Sequence, residues 1–148
     1  MNNAKFIDTN VLVYAYDFSE PEKQASAVAA LDELHETQTG VLSTQVLSEF
    51  FVVVTKKLAA PLTIDEAAER VETLVAAWPI AEITPMVVIE ATRGVSRHRL
   101  SYWDALIWAT ARLNQIQVIL SEDFNQGHSL EGVAFVNPFY LSEGDDAP

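Results

Sequence analysis

The sequence has 148 residues, 49% of them apolar, and 21 Asp and Glu residues against 9 Lys and Arg, which gives a formal net charge of −12. A chain of this length can form one domain with its own core, and the lack of cysteine excludes disulfides, thiolate metal sites and cysteine nucleophiles. The acidity disfavours a protein that binds nucleic acid through a broad basic face, but it does not exclude one that reaches phosphate groups through metal ions.

Short apolar runs alternate with segments of helical spacing along most of the chain. In chain order the pattern predicts a strand at 4–7, helix 21–37, strand 41–42, helices 44–58 and 63–78, strand 80–83, helices 84–94 and 101–114, and strands 118–120 and 133–136. Thr63 and Glu66 form a capping box, and Ser101 can cap the last helix. Pro85 suits the first position of the helix at 84–94, and Gly94 suits its end.

Strands that alternate with helices need crossover connections, so the sequence predicts the α/β class with a largely parallel sheet covered by helices on both faces. We expect one domain over residues 1–141 and a flexible acidic tail at 142–148, whose residues are too polar to pack. No apolar run approaches the roughly 18 residues of a membrane span or the core of a signal peptide, so we expect a soluble cytoplasmic protein.

Four carboxylates lie in or beside apolar segments instead of on a polar helix face: Asp8, Glu49, Asp104 and Asp123. A carboxylate near a core costs several kcal/mol unless it is paired, hydrogen-bonded or bound to a metal. Taken singly, Asp8 can cap a short helix, Asp104 can interact with its helix start, and Asp123 suits a turn. Glu49 has no such simple explanation.

Taken together, these carboxylates favour a site. Asp8 and Asp123 follow predicted strands and Asp104 lies in the first turn of a helix, so all three map to the carboxyl end of the sheet, where ligands bind in such folds. Glu49 can point to the same place. A donor set made only of oxygen suits Mg²⁺ or Mn²⁺, and such ions act on phosphate esters by activating water.

Four motifs in this order resemble the PIN domain, and most closely the VapC toxins of bacterial type II toxin–antitoxin systems. They are Asp8-Thr9-Asn10 followed by Val-Leu-Val-Tyr-Ala, Ser48-Glu49-Phe50, Trp103-Asp104-Ala105-Leu106-Ile107, and Ser121-Glu122-Asp123 with Asn137-Pro138-Phe139 downstream. The resemblance extends from Phe6 to Phe139. It implies a central five-stranded parallel sheet and a Mg²⁺- or Mn²⁺-dependent endoribonuclease that leaves a 5′-phosphate and a 3′-hydroxyl. It also implies a homodimer and a cognate VapB-like antitoxin that holds the nuclease inactive.

The resemblance also implies roles for individual residues. Asp8, Glu49, Asp104 and Asp123 would be the acidic metal ligands, for one ion or two. Thr9, Asn10 and Ser121 would support them, although many family members have Thr where this sequence has Ser121. Glu122 adjoins Asp123, and which of the two faces the metal stays open; we favour Asp123.

Arg93, Arg97 and Arg99, with His98 among them, form the only basic cluster in the sequence. They could supply the phosphate contacts that position RNA. Salt bridges to surface acids, or a solvated loop, explain the cluster equally well.

Three other functions are weaker alternatives. A phosphoacceptor signalling domain needs an Asp after its middle strand and a Lys at the end of its last, but here the segment from Ile80 to Thr84 offers only Glu82, and no Lys occurs after Lys57. A haloacid-dehalogenase-type phosphatase needs Asp-x-Asp, which Asp8-Thr9-Asn10 lacks. A PIN-like module that only binds a partner is the third, and the presence of all four acids argues against it.

Overall fold

A computed structural model of the chain describes residues 3–140, so the predicted tail at 142–148 lies outside the described residues. The strands are β1 (Lys5–Ile7), β2 (Gly40–Ser43), β3 (Ile80–Ala81), β4 (Val118–Leu120), β5 (Ser129–Leu130) and β6 (Val133–Val136). The helices are α1 (Thr9–Tyr14), α2 (Pro21–Thr37), α3 (Thr44–Lys56), α4 (Ile64–Ala77), α5 (Pro85–His98) and α6 (Tyr102–Leu113). No helix in this part of the chain is long and apolar enough to cross a membrane.

The strands form one sheet in the order β3-β2-β1-β4-β6-β5. The first five strands in this order are parallel to their neighbours, which confirms the α/β prediction. The sixth, β5, was missed. It has only two residues and pairs antiparallel to β6 through a tight turn at Glu131 and Gly132, both of which have positive φ. A strand this short shows no alternation of apolar and polar residues that a sequence pattern could reveal.

The order of the strands reverses between β1 and β4. β2 and β3 follow β1 on one side, and β4 starts the other side of the sheet. In open parallel sheets this reversal opens a crevice beyond the carboxyl ends of the strands. Asp8 directly follows β1, and Ser121 directly follows β4, so both lie at the mouth of this crevice.

The predicted helix starts are largely confirmed. Thr63 and Glu66 form both hydrogen bonds of the capping box at α4, and Ser101 caps α6. At α3 the prediction is wrong by one residue, because Ser43 and not Thr44 accepts the capping bond from the backbone of Val46 at 3.2 Å.

Gly94 does not end α5, as predicted, but lies buried inside it. A Cβ at this position would lie 2.9 Å from the indole ring of Trp108, so glycine allows α5 and α6 to pack closely. The helix continues to His98 and ends at Arg99, whose φ of 58° is left-handed. Gly94 is therefore needed for the close packing of two helices, and the prediction that it ends the helix is wrong.

The core lies between the sheet and the helices. Its largest fully buried side chains include Phe6, Phe50, Trp108 and Phe135. In α6 every residue from Ala105 to Ala111 is buried, which makes it a central helix covered on all sides. Because Asp104 directly precedes this buried stretch, it is held at the edge of the core beside the crevice.

Candidate active site

Asp8 is the most buried carboxylate of the site, with 4% of its surface exposed. It caps α1, since its Oδ1 accepts a hydrogen bond from the backbone of Thr9 at 2.7 Å. Its Oδ2 accepts one from the Ser121 hydroxyl at 2.7 Å and a longer one from the Asn10 amide at 3.5 Å. The helix-cap interpretation is therefore confirmed, and the same side chain also joins the end of β1 to the end of β4.

Asn10 and Ser121 fix the turn that follows β4. The Asn10 amide nitrogen donates to Ser121 Oγ at 3.1 Å, and its carbonyl oxygen accepts from the backbone of Glu122 at 3.3 Å. Ser121 Oγ also accepts from the backbone of Asp123 at 3.0 Å. These two predicted supporting residues thus connect Asp8 with the backbone that carries Asp123.

Glu49 projects from α3 toward the same crevice. Its Oε1 accepts a hydrogen bond from the Thr9 hydroxyl at 2.6 Å, and its Oε2 accepts one from the Gln45 amide at 3.3 Å. Gln45 also donates to the backbone oxygen of Trp103 at 3.2 Å, next to Asp104. Gln45 was not predicted from the sequence, although its position four residues before Glu49 on one helix was a usable signal.

Asp104 lies in the first turn of α6, where its backbone nitrogen donates to the Ser101 hydroxyl at 3.2 Å. Burial raises the pKa of its carboxyl, a hydrogen bond from Ser101 opposes this, and the charges of Asp123 and Glu49 raise it further. The charges of Asp123 and Glu49 therefore act on Asp104.

The neighbours Glu122 and Asp123 point in different directions. Glu122 accepts hydrogen bonds from the Tyr14 hydroxyl at 2.8 Å and from the Lys23 ammonium at 3.0 Å. Burial raises the pKa of Asp123, a hydrogen bond from Asn10 opposes this, and the negative charges of Glu122 and Glu49 raise the pKa further. Asp123 therefore faces the other acids, whereas Glu122 faces α1 and α2.

The electrostatics of the crevice are dominated by acids. Burial raises the pKa of Asp8 to about 7, against the opposing hydrogen bonds from Ser121 and Thr9, and the charges of Asp123 and Glu49 add to the increase. We call Asp8, Glu49, Asp104 and Asp123 the acidic cluster.

Beside the acidic cluster lies a cleft of about 640 Å³. Its polar lining includes Thr9, Asn10, Glu49 and Asp123, and its apolar lining comes from Val13, Val52, Val53 and Leu58. Two members of the acidic cluster, Glu49 and Asp123, therefore border this cleft, and Glu122 borders it as well.

The chemistry of this donor set fits a hard divalent cation. All the candidate side-chain ligands are carboxylates, and the charges of Glu49 and Asp123 raise the pKa of both Asp8 and Asp104, a repulsion that a cation would relieve. Within residues 3–140 no three acidic or histidine side chains lie close enough to hold an ion between them. The acidic cluster would therefore need rotation of side chains to enclose one.

The arginines of the basic cluster, Arg93, Arg97 and Arg99, differ in whether they form salt bridges. Arg93 forms ion pairs with Glu90 at 2.7 Å and with Glu131 at 2.8 Å. Glu131 also contacts His98 at 2.6 Å, and Arg112 reaches Glu90 at 3.0 Å. We call these five residues the charge network. The salt-bridge interpretation thus applies to Arg93.

Arg97 and Arg99 are different, because both are exposed and neither forms a salt bridge with any residue in the described part of the chain. They lie at the end of α5, only a few residues before the start of α6. Asp104, the one member of the acidic cluster on α6, follows these two arginines by seven and five residues in the chain.

Comparisons with known proteins place this geometry in a family. The model of the PIN domain matches residues 5–128. No curated protein matches the chain significantly. Among solved structures, FitAB bound to an IR36 DNA fragment is similar with a TM-score of 0.70 and 23% identity, over 94% of this chain and 98% of that one.

Two further structures share the fold. A toxin–antitoxin complex from Klebsiella pneumoniae has a TM-score of 0.68 and 18% identity, over 93% of this chain and 100% of that one. VapC20 from Mycobacterium tuberculosis, a toxin that cleaves the sarcin-ricin loop, has a TM-score of 0.63 and 17% identity, over 81% of this chain and 90% of that one. Because the family model covers most of the sequence, the chain belongs to the PIN domain family.

Proposed function

We propose that the protein is an endoribonuclease that depends on Mg²⁺ or Mn²⁺ and acts as the toxin of a VapBC-type toxin–antitoxin pair. The observation that carries this proposal is the convergence of Asp8, Glu49, Asp104 and Asp123, from four separate segments, at the point where the order of the strands reverses. The charges of Asp123 and Glu49 act on both Asp8 and Asp104. Membership of the PIN family and the likeness to an RNA-cleaving toxin support the activity.

The four carboxylates would hold the divalent cation. When bound, such a cation supplies positive charge that activates water and stabilises the phosphodiester as it is cleaved. Thr9 fixes Glu49, and Asn10 and Ser121 fix Asp8, so these three residues would keep the ligands in place. Outer hydrogen bonds of this kind orient ligands and tune metal sites.

RNA and an antitoxin would be the partners of this protein. Arg97 and Arg99 are the candidates for phosphate contacts near the acidic cluster, and Arg93 is the weaker one because it is already paired. The strong acidity suits an antitoxin with a basic segment. Two structures of similar fold support such a partner: the toxin–antitoxin complex from Klebsiella pneumoniae, and VapBC2 from Rickettsia felis bound to a DNA fragment from its promoter. We also propose a homodimer that acts in the cytoplasm.

The test is cleavage of total cellular RNA by the purified protein with Mg²⁺ or Mn²⁺, and with EDTA. An Asp8→Asn variant removes one proposed ligand, and Asp65→Asn, an exposed carboxylate in the first turn of α4, is the matched control. We expect discrete fragments that need metal, persist with the control and vanish with Asp8→Asn. Folded protein that cleaves no RNA in a broad set would instead favour a PIN-like module that only binds a partner.

A further inference from the structure

Glu122 and Asp123 are adjacent acids at the end of β4, yet only Asp123 faces the acidic cluster. The backbone nitrogen of Glu122 is held by the Asn10 carbonyl, and that of Asp123 by the Ser121 hydroxyl. These bonds fix the backbone of the turn, and a hydrogen bond from Asn10 also reaches the side chain of Asp123, but neither backbone bond holds the side chain of Glu122. Something else must therefore decide which carboxylate joins the cluster.

The side chain of Glu122 is held by two residues from other helices. The hydroxyl of Tyr14, at the end of α1, donates to its Oε1 at 2.8 Å, and the ammonium of Lys23, in the first turns of α2, donates to its Oε2 at 3.0 Å. Lys23 also donates to the Tyr14 hydroxyl at 3.2 Å, so the three groups form a closed triangle. Both carboxylate oxygens of Glu122 are thus engaged by residues outside the cluster.

Aromatic rings keep the lysine in place. Its ammonium lies 4.8 Å from the centre of the Tyr14 ring and 5.8 Å from that of Phe139. The two rings meet edge to face with their centres 5.0 Å apart. Such contacts stabilise a cation over an aromatic face and restrict a side chain that would otherwise be mobile.

We propose that Lys23 and Tyr14 are positioning residues that hold Glu122 out of the acidic cluster, so that Asp123 is the only acid of the pair that serves the metal site. This inference rests on the proposed function. It assigns a role to Tyr14, which the first motif contains without a role, and to Lys23, which lies outside the motifs.

The charges explain why release of Glu122 would matter. With Lys23 removed, an unpaired carboxylate lies next to several others, and one positive charge near the site is gone. Both changes make the site more negative, so they strengthen the attraction for a divalent cation. A fifth carboxylate in the site would at the same time compete with the arrangement of ligands that the reaction needs.

The experiment measures Mn²⁺ binding to the RNA-free protein by calorimetry and RNA cleavage in parallel. For Lys23→Met we expect Mn²⁺ affinity to rise about fivefold, while cleavage falls about tenfold. Tyr14→Phe should change Mn²⁺ affinity and RNA cleavage in the same directions but by smaller factors. Lys23→Arg keeps the positive charge and should retain wild-type values of both. Lys56→Met is the control, because Lys56 is an exposed lysine at the end of α3 that forms no salt bridge among residues 3–140.

A double-mutant cycle with Glu122→Gln decides whether Lys23 acts through Glu122. If it does, Lys23→Met changes neither Mn²⁺ affinity nor cleavage once Glu122 is neutral. If the loss of cleavage persists in that background and appears as weaker RNA binding, Lys23 contacts RNA directly and the inference is overturned. Unchanged or weaker Mn²⁺ binding by Lys23→Met overturns it as well.

The metal measurement separates this inference from the proposed function. A wild-type protein that binds no Mn²⁺ refutes both. A wild-type protein that binds Mn²⁺ and cleaves RNA, with a Lys23→Met variant that behaves identically, refutes only the role of Lys23. Circular dichroism of each variant confirms that the partly exposed Lys23 can be replaced without unfolding.

Discussion

The hydroxyl of Thr9 donates a 2.6 Å hydrogen bond to the carboxylate of Glu49, forty residues away in the chain. Thr9 is the first residue of α1, just after β1, and Glu49 lies in the middle of α3, so this bond joins the start of α1 to the helix that lines the cleft. Without it, Glu49 would keep only the longer bond from Gln45.

Replacement of Thr9 by Val removes this bond and preserves the shape of the side chain. We expect RNA cleavage to fall about tenfold to a hundredfold, because outer residues that orient metal ligands have effects of this size. Thr9→Ser keeps the hydroxyl and should retain most activity. Single-turnover rates at saturating metal measure the effect, and equal rates for Val and Ser would show that the bond has no role in cleavage.

Asp8 makes the stability of the metal-free protein depend on pH. Its pKa is raised from 3.8 to about 7, so between these values the folded protein holds a proton that the unfolded chain has lost. Stability must therefore fall as pH rises from about 4 to 7, by at most about 4 kcal/mol. Asn at this position does not titrate. We expect Asp8→Asn to gain stability relative to wild type as pH rises from 4 to 8.

Thermal unfolding in EDTA at several pH values measures this difference. The comparison between the two proteins is informative because Asp104 and Asp123, whose pKa values are also raised, contribute to both curves of stability against pH. A difference in melting temperature that stays constant from pH 4 to 8 would contradict the raised pKa of Asp8. Added Mg²⁺ should stabilise wild type more than Asp8→Asn, since binding to the folded state alone stabilises it.

The three arginines of the basic cluster should differ in their effect on RNA binding. Arg97→Gln and Arg99→Gln should each weaken binding of single-stranded RNA and reduce the slope of log affinity against log salt by about 0.7. Arg93→Gln should instead lower the melting temperature, because it breaks ion pairs with Glu90 and Glu131. Fluorescence anisotropy in the Asp8→Asn background measures binding without cleavage. A loss of affinity confined to Arg93→Gln would reverse this assignment.

Gly94 should not tolerate even a methyl group. Alanine would normally favour the interior of a helix, but its Cβ would lie 2.9 Å from the ring of Trp108. We expect Gly94→Ala to destabilise the protein by about 1–3 kcal/mol, which is typical of an overpacked core. Ser96→Ala, an exposed position on the same helix, should be nearly neutral. Chemical denaturation measures both.

The sequence predicted the fold well because its signals are local. Strand 118–120 and the helix starts at Thr63 and Ser101 follow from apolar runs and capping residues. Gly94 was misread because its reason lies in Trp108, fourteen residues away, and β5 was missed because two residues carry no periodicity.

In the candidate site, too, the residues with a local sequence signal could be predicted and those placed by tertiary contacts could not. Asp8 and Asn10 could be predicted because a short motif carries them and because a carboxylate in apolar surroundings is unusual. The Glu122 side chain could not be placed, because its direction depends on Lys23, which lies on another helix and carries no local signal. Which of two adjacent acids faces a site is a property of tertiary contacts.

The charge network has a kinetic consequence for how this protein meets its partners. It pairs Arg93 and Arg112 with acids, and Lys23 is paired in the same way, so three of the nine Lys and Arg residues are already neutralised on a chain with a net charge of −12. At long range such a protein repels RNA, and screening by salt should speed their encounter where it slows that of a basic nuclease. The same field attracts a basic polypeptide. An antitoxin with a basic segment would therefore associate with the protein faster than RNA does. This difference in association rate would favour inhibition even if the two partners bound with equal affinity.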